Sequence, residues 1–486
     1  MKNRMKHSTF APGGQLVMRV ADALRQMMIR ENPLEKILKY LRNQAGNKKE
    51  RAKSFMYFMQ VIKHYNLLDA LVRHVTRIKE ISFHSNEIAW FVCLVLIFHV
   101  KQEAISSLHD ALVKRRSVDH EVPQMTLDLL DEIFPVTPSW QYIHELILSV
   151  NLKTFLVAFP HPDSFALQFA HPTFFIDKML QLVSEKRLIR LMQEHLEDRR
   201  FFIHARDATS LKELIAWLNV KNFTYQPDRD IPRLLQVLNE PGWKQAIASH
   251  PLNSCGKIAL VDKASVMVVE MLDPRAGDTI LDLCAAPFMK TSISFWHMGQ
   301  HGRIIANDVN SSRIQAALDG MATIPRHSIH WLNSDARCMS SFYRGGEPDK
   351  ILLDVPCTGS GSFMIHPRLK WVQSSRFLQQ NVVLQQSILA DVIKTCKENH
   401  WKETKILYAN CSYYADEGEG VMDKIMPSIE LIDLHDYQIN QTRGLRVSSG
   451  WKGFKCSSKV ARTFPDLHDG CQAFFMALFK VPVETP

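Results

Sequence analysis

After residue 255 the chain alternates short β-rich runs with helix-length gaps, and this alternation limits the fold more than any other feature. The runs are Thr279–Cys284, Arg303–Asn307, Ile329–Leu332, Lys350–Pro356 and Lys405–Ser412. Strands separated by helix-sized connections predict βαβ units and a doubly wound parallel sheet with helices on both faces. Ligands of such sheets bind outside the carboxyl ends of the strands. The residues that follow each run are therefore the ones to read for chemistry.

The first run opens into Cys284, Ala285, Ala286, Pro287, Phe288, Met289 and Lys290. Small residues there let backbone approach a nucleotide-type cofactor. The second run ends at Asp308, placed to accept from ribose hydroxyls. The third is followed by Asp335, which could accept from an adenine amino group. The fourth ends in Asp354, Pro356 and Cys357, and the fifth in Asn410, Cys411 and Ser412. A lone cysteine is usually a small buried hydrophobe. Two at adjacent strand ends, one beside an aspartate, suit a specific chemistry. Carbon 5 of cytosine is a poor nucleophile until a thiolate adds to carbon 6. A carboxyl such as Asp354 can serve nitrogen 3 during that attack, and a second thiol can assist release. The base must be single-stranded or flipped out of its stack.

The first half reads differently. Residues 15–115 predict helices, with Phe55, Met56, Phe58, Met59, Ile62, Tyr65, Leu68, Leu71, Val72 and Val75 on one apolar face. The apolar run Ile88–Phe98 is too short to span a bilayer and predicts a buried helix. Prolines break residues 116–250 into short pieces, with a helix expected over Ser184–Glu197. The basic residues Lys186, Arg187 and Arg190 on that helix are interleaved with acids, as on an ordinary solvated face.

The net charge of +9 suits a phosphate-bearing partner. Nine cysteines without C-x-x-C spacing argue against a disulfide framework or a zinc site, and fit reduced thiols in the cytoplasm. No apolar signal region follows the basic N-terminus.

The motifs VDKAS (261–265), LDLCAAP (281–287), NDVNSSR (307–313), SDAR (334–337), LLDVPCTGSG (352–361), HPRLKW (366–371), NCS with Glu417 and Glu419 behind it, and HDGCQAFFMALFK (468–480) occur in order. In these the chain resembles the RNA cytosine-5 methyltransferases, typified by the bacterial 16S ribosomal RNA enzyme with a NusB-like N-terminal domain. The resemblance implies an α/β, Rossmann-like, doubly wound methyltransferase domain over 255–482. An all-helical NusB-like RNA-binding domain over 15–135 and a small α+β RNA-binding subdomain over 165–254, opened by His171–Phe175, would precede it. S-adenosyl-L-methionine is the implied cofactor, held by Cys284 to Lys290, Asp308, Asp335 and Asp354, with no metal. Cys411 becomes the nucleophile, Cys357 the cysteine that assists release, and Asp354 the base-activating carboxylate. The implied partner is RNA, ribosomal RNA ahead of transfer RNA, acted on by a cytoplasmic monomer.

The chain departs from the family pattern at three points. The loop after CAAP normally continues into Gly, then Gly or Asn; here Phe288 and Met289 stand there, adding bulk and disfavouring positive φ. Asn410 replaces the threonine before the nucleophile. Phe201–Ala205 lacks the arginine expected near the small subdomain's first strand. Phe288 and Met289 are what a rival reading rests on: a catalytically impaired member acting as an RNA-binding or ribosome-assembly factor. A DNA cytosine methyltransferase fits poorly, because its nucleophile follows the fourth strand and Cys411 would have no role.

Overall fold

The computed structural model describes residues 34–43, 48–76 and 152–483, apart from 198, 239–241, 321–328 and 441–443, with scattered positions between 19 and 27. The chain divides into two compact units between Asp177 and Lys178. In the first, helices span Leu34–Asn43, Lys48–Lys63, Tyr65–Thr76, Leu152–Val157 and Asp163–Gln168. The single apolar face expected over residues 55–75 falls on two helices that break at His64, and Phe58, Val61, Ile62, Leu67, Leu68 and Leu71 are buried. The run Ile88–Phe98 and much of the expected NusB-like domain lie outside the described residues. Among those described, no helix is long and apolar enough to cross a membrane.

The second unit opens with the helix Glu185–Leu196, entered through Ser184 in extended backbone. It buries Leu188, Leu191, Met192 and His195, the i, i+3, i+4, i+7 stripe of a one-faced helix. A small antiparallel sheet follows: β1 Phe201–Ala205, β2 Tyr225–Pro227, β3 Leu234–Val237 and β4 Ile258–Val261, in the order β2-β3-β1-β4. The helix Ala208–Val220 packs Leu214 and Leu218 against Ile203 and Leu235, and the Asp207 carboxylate caps it by accepting from the Ser210 N–H at 2.7 Å. This is an α+β piece. Its fourth strand lies past residue 254, so the small sheet draws on the segment that the sequence assigns to the next domain.

The large sheet contains β5 Thr279–Asp282, β6 Arg303–Asn307, β7 Ile329–Leu332, β8 Lys350–Asp354, β9 Lys405–Asn410, β10 Glu430–Ile432, β11 Ser448–Ser449, β12 Ala461–Thr463 and β13 Phe474–Lys480. All five strand runs read from the sequence are present. The spatial order is β11-β12-β13-β9-β8-β5-β6-β7, with β10 also paired to β13. From β9 to β7 the strands are parallel. β13 runs antiparallel to β9, β10 and β12, so the expected all-parallel sheet is a mixed one. Phe474–Phe479 is apolar and buried throughout, as a strand covered on both faces must be. Such a pattern carries no information about strand direction. The order reverses at β5, with β6 and β7 on one side and β8 and β9 on the other. The crevice between the carboxyl ends of β5 and β8 is therefore the switch point where ligands of such sheets bind.

Candidate active site

Beyond Asp282 the chain turns through Leu283–Pro287 into the helix Met289–His297. The turn is held by its neighbours' ends. Ala285 N–H donates to the Asn307 carbonyl at 2.8 Å, and Ala286 N–H to Asp308 Oδ2 at 3.1 Å. The fully buried Asn307 amide donates to the carbonyls of Leu283 (3.0 Å) and Ser334 (2.9 Å) and accepts from the Ser334 N–H. One side chain thus ties the ends of β5, β6 and β7 together. It opens the motif NDVNSSR, but the sequence assigned it no role.

Phe288 takes the left-handed conformation, φ 66°, that its side chain disfavours. Its ring is fully buried, edge-on to Trp331 with centroids 4.4 Å apart, in a core shared with Ile293, Ile304 and Ile314. The left-handed backbone costs roughly 1–2 kcal/mol. Burying a phenylalanine side chain returns roughly 1.5–3 kcal/mol. The bulk read from the sequence is therefore turned into the core.

Three carboxylates lie around Cys284: Asp282, Asp354 and Asp308. Burial first, and then their field, push its thiol well above the usual range. Asp282 is itself buried and accepts from Thr291 Oγ1 at 2.6 Å, while its Oδ1 has no well-formed hydrogen bond. Burial pushes this carboxyl up to about 7. Asp308 accepts from Asn310 N–H at 2.9 Å as well as from Ala286, and Arg313 reaches both Asp308 and the Ala286 carbonyl. Asp335 is turned to Arg337, accepting from its N–H and Nε and held below the usual carboxylate range by those bonds. Pro287 is exposed.

At the next two strand ends, Lys290 Nζ donates to Asp354 Oδ2 at 2.6 Å and stands 4.9 Å over the Phe474 ring. The sulfurs of Cys357 and Cys411 are 3.3 Å apart. The Cys411 carbonyl accepts from Gly361 N–H at 2.9 Å. A Cβ on Gly361 would meet the Ala473 carbonyl at 2.3 Å, so only glycine fits there. The bond from Cys357 holds the Cys411 thiol below its ordinary value, helped by the Ser362 hydroxyl and Lys290 and opposed by burial and Asp354. Cys357 is pushed well above its own, first by that same contact and then by burial. The two thiols are coupled through this contact and titrate as a pair, with Cys411 the one shifted down.

The structure thus brings Cys284, Asp308, Lys290, Asp354, Cys357 and Cys411 to neighbouring strand ends. Sequence reasoning missed Asp282, Asn307 and Ser362, and quoted Glu417 and Glu419 without a role. A carboxylate at the very end of β5 was the available signal for Asp282. Elsewhere Asp228, Asp230 and Asp469 converge as metal ligands would, but the cation between them is the buried Lys263 ammonium, at 2.6–2.8 Å from each.

The sheet and its strand-end residues define a Rossmann-like methyltransferase fold. A solved chain named PH0851 has it over 98% of this chain and 100% of its own, with TM-score 0.66 and 18% identity. NSun6 from Pyrococcus horikoshii, crystallised with SFG, has it over 64% of this chain and 98% of its own, with TM-score 0.53 and 18% identity. Residues 269–480 match the family model for the 16S rRNA methyltransferase RsmB/F. Two relatives are named ribosomal RNA small subunit methyltransferase B. The one from Photorhabdus laumondii is 28% identical over 41% of this chain and 48% of its own length. The one from Shewanella oneidensis is 32% identical over 35% and 39%. The chain thus spans less than half the length of these relatives.

Proposed function

We propose that this protein is an S-adenosylmethionine-dependent RNA methyltransferase that forms 5-methylcytosine, in ribosomal RNA ahead of transfer RNA. The observation that carries the reading is the pair of sulfurs 3.3 Å apart, beside Asp354 and Lys290. The RsmB/F match and the names of the relatives support ribosomal RNA as the substrate.

The residues around β5 fit the methyl donor. S-adenosylmethionine is cationic at sulfur and at its amino group, and Asp282, Asp308 and Asp354 supply a negative field around a loop of small residues. The Asp282 Oδ1 left without a well-formed bond is a natural partner for a cation. NSun6, of the same fold, was crystallised with SFG, an analogue of this molecule. Cys284 to Lys290, Asp308 and Asp335 would hold the donor, which supplies an electrophilic methyl group when bound.

The chain's own residues do the rest. Cys411 forms a bond from its sulfur to carbon 6 of an unstacked cytosine, and the ring's electron pair moves to carbon 5. Asp354 acts in its acid form, donating its proton to nitrogen 3 as negative charge develops there, and Lys290 holds its other oxygen in place. After carbon 5 has gained its methyl, its proton must leave and the carbon–sulfur bond must break. Cys357, as thiolate at that stage, takes the carbon-5 proton; the C–H electron pair restores the C5–C6 double bond and the C6–S pair returns to Cys411.

The test is calorimetric titration with S-adenosylmethionine, joined to bisulfite sequencing of ribosomal and transfer RNA from cells with and without the gene. Binding, and one cytosine that loses its protection on deletion, are expected. Absence of binding, or an unchanged bisulfite map, would overturn the reading in favour of a non-catalytic RNA-binding or assembly factor.

A further inference from the structure

We infer that Glu417 is a positioning residue that sets the place of Cys357 relative to Cys411, and so governs how fast a covalent RNA adduct is released. The inference rests on the function proposed above. Glu417 is fully buried, and each part of it is engaged. Its Oε1 accepts from Thr358 N–H at 2.8 Å and from Gln385 Nε2 at 3.1 Å, and its Oε2 accepts from Thr358 Oγ1 at 2.6 Å. Thr358 directly follows Cys357. Gln385, on the long helix Ser375–Glu398, also donates to the carbonyl of Pro356, which directly precedes Cys357. The thiol loop is therefore held on both sides, by a carboxylate and by an amide bonded to each other.

The backbone of Glu417 faces the other thiol. Its carbonyl accepts from Asn410 Nδ2 at 2.8 Å and Tyr408 Oη at 2.7 Å, both on β9, whose end carries Cys411. The two halves of the residue thus hold two different strand ends: the side chain is bonded chiefly on the Cys357 side, to Thr358 and Gln385, and also meets the Ser412 hydroxyl beside Cys411. Cys411 has independent anchors. Gly361 N–H bonds its carbonyl, and the buried Arg462, paired with Glu419, donates to the Ser412 carbonyl at 2.9 Å. Removing the Glu417 carboxylate takes both bonds from Thr358 and should loosen Cys357 more than Cys411, whose backbone anchors from Gly361 and Arg462 remain. Attack would persist and release would slow.

The test uses the full chain with an unmodified 16S ribosomal RNA transcript and S-adenosylmethionine. It compares first-turnover methyl transfer, steady-state turnover and the protein–RNA band that survives denaturing electrophoresis. Glu417→Ala should accumulate that band and lose turnover roughly tenfold or more, as displacement of a reacting group does, while the first turnover falls far less. Glu417→Gln keeps an acceptor for the Thr358 N–H and should lie between it and the natural protein. Thr358→Val, which removes one hydroxyl, should show the same pattern more weakly and serves if Glu417→Ala does not fold. Equal loss of first and later turnovers in these variants, with no band, overturns the inference. Absence of a band in Cys357→Ala as well overturns the underlying reading instead.

Discussion

Lys290 donates a 2.6 Å hydrogen bond to Asp354, joining the first turn of the helix after β5 to the end of β8. The contact links the loop proposed to hold the methyl donor with the thiol pair. The lysine is nearly buried, and its positive charge also favours the Cys411 thiolate.

Replacing Lys290 by methionine should act on pH dependence as well as on rate. Without the ammonium, the Cys411 thiol rises toward its ordinary value. The rising limb of the rate–pH profile then moves to higher pH, because less thiolate is present at any given pH. Loss of the orienting bond on Asp354 should lower the rate at neutral pH by roughly 10²-fold or more. A pH–rate series on both proteins measures this, and an unmoved limb would argue against electrostatic support from Lys290.

The two cysteines should fail differently. Cys411→Ala should abolish methylation and give no adduct. Cys357→Ala should methylate once and remain attached to RNA through a band stable to denaturation. If the band appears instead with Cys411 replaced, the two roles are exchanged.

Phe288 is a stability residue by the geometry of its ring. Phe288→Gly relieves roughly 1–2 kcal/mol of left-handed backbone cost but leaves a cavity beside Trp331, and emptying a buried phenylalanine site costs roughly 3–5 kcal/mol. A net loss of about 1–4 kcal/mol is expected by urea unfolding. Calorimetry should find S-adenosylmethionine affinity little changed. A marked gain in affinity with no loss of stability would mean that the ring obstructs the donor.

Asp282 should make the protein less stable as pH rises. Its carboxyl titrates at about 7 when folded and near 4 when unfolded. Between those values the folded state holds a proton that the unfolded state has lost, so stability falls from about pH 4 to about pH 7 and then levels. Asp282→Asn removes that contribution. Urea unfolding across this range should show a shallower decline in the variant, and parallel curves would contradict the buried, ionising Asp282.

Much of this was legible in the chain because local patterns report local structure. The five strand runs around the crevice were found by their β-rich composition and spacing, and the candidate residues by their position after each run. The helix Glu185–Leu196 lies within the expected span Ser184–Glu197. What was not legible had a common cause. Phe474–Phe479 looks the same whichever way it runs, so its antiparallel pairing could not be read. The break at His64 interrupts an apolar face without a proline or glycine to mark it. Asn307 and Glu417 stand in motifs the sequence displays, but they act through partners distant in sequence, so their roles could not be read there.

The sequence by itself determined which side chains reach the strand ends, because strand and helix lengths place them there. It placed two cysteines and several aspartates along one crevice. Only the tertiary structure decided that the two sulfurs stand 3.3 Å apart, that Lys290 pairs with Asp354, and that the Phe288 ring enters the core. Those outcomes depend on packing between segments far apart in the chain. There, burial and charge decide where a side chain points and how the two thiols influence each other.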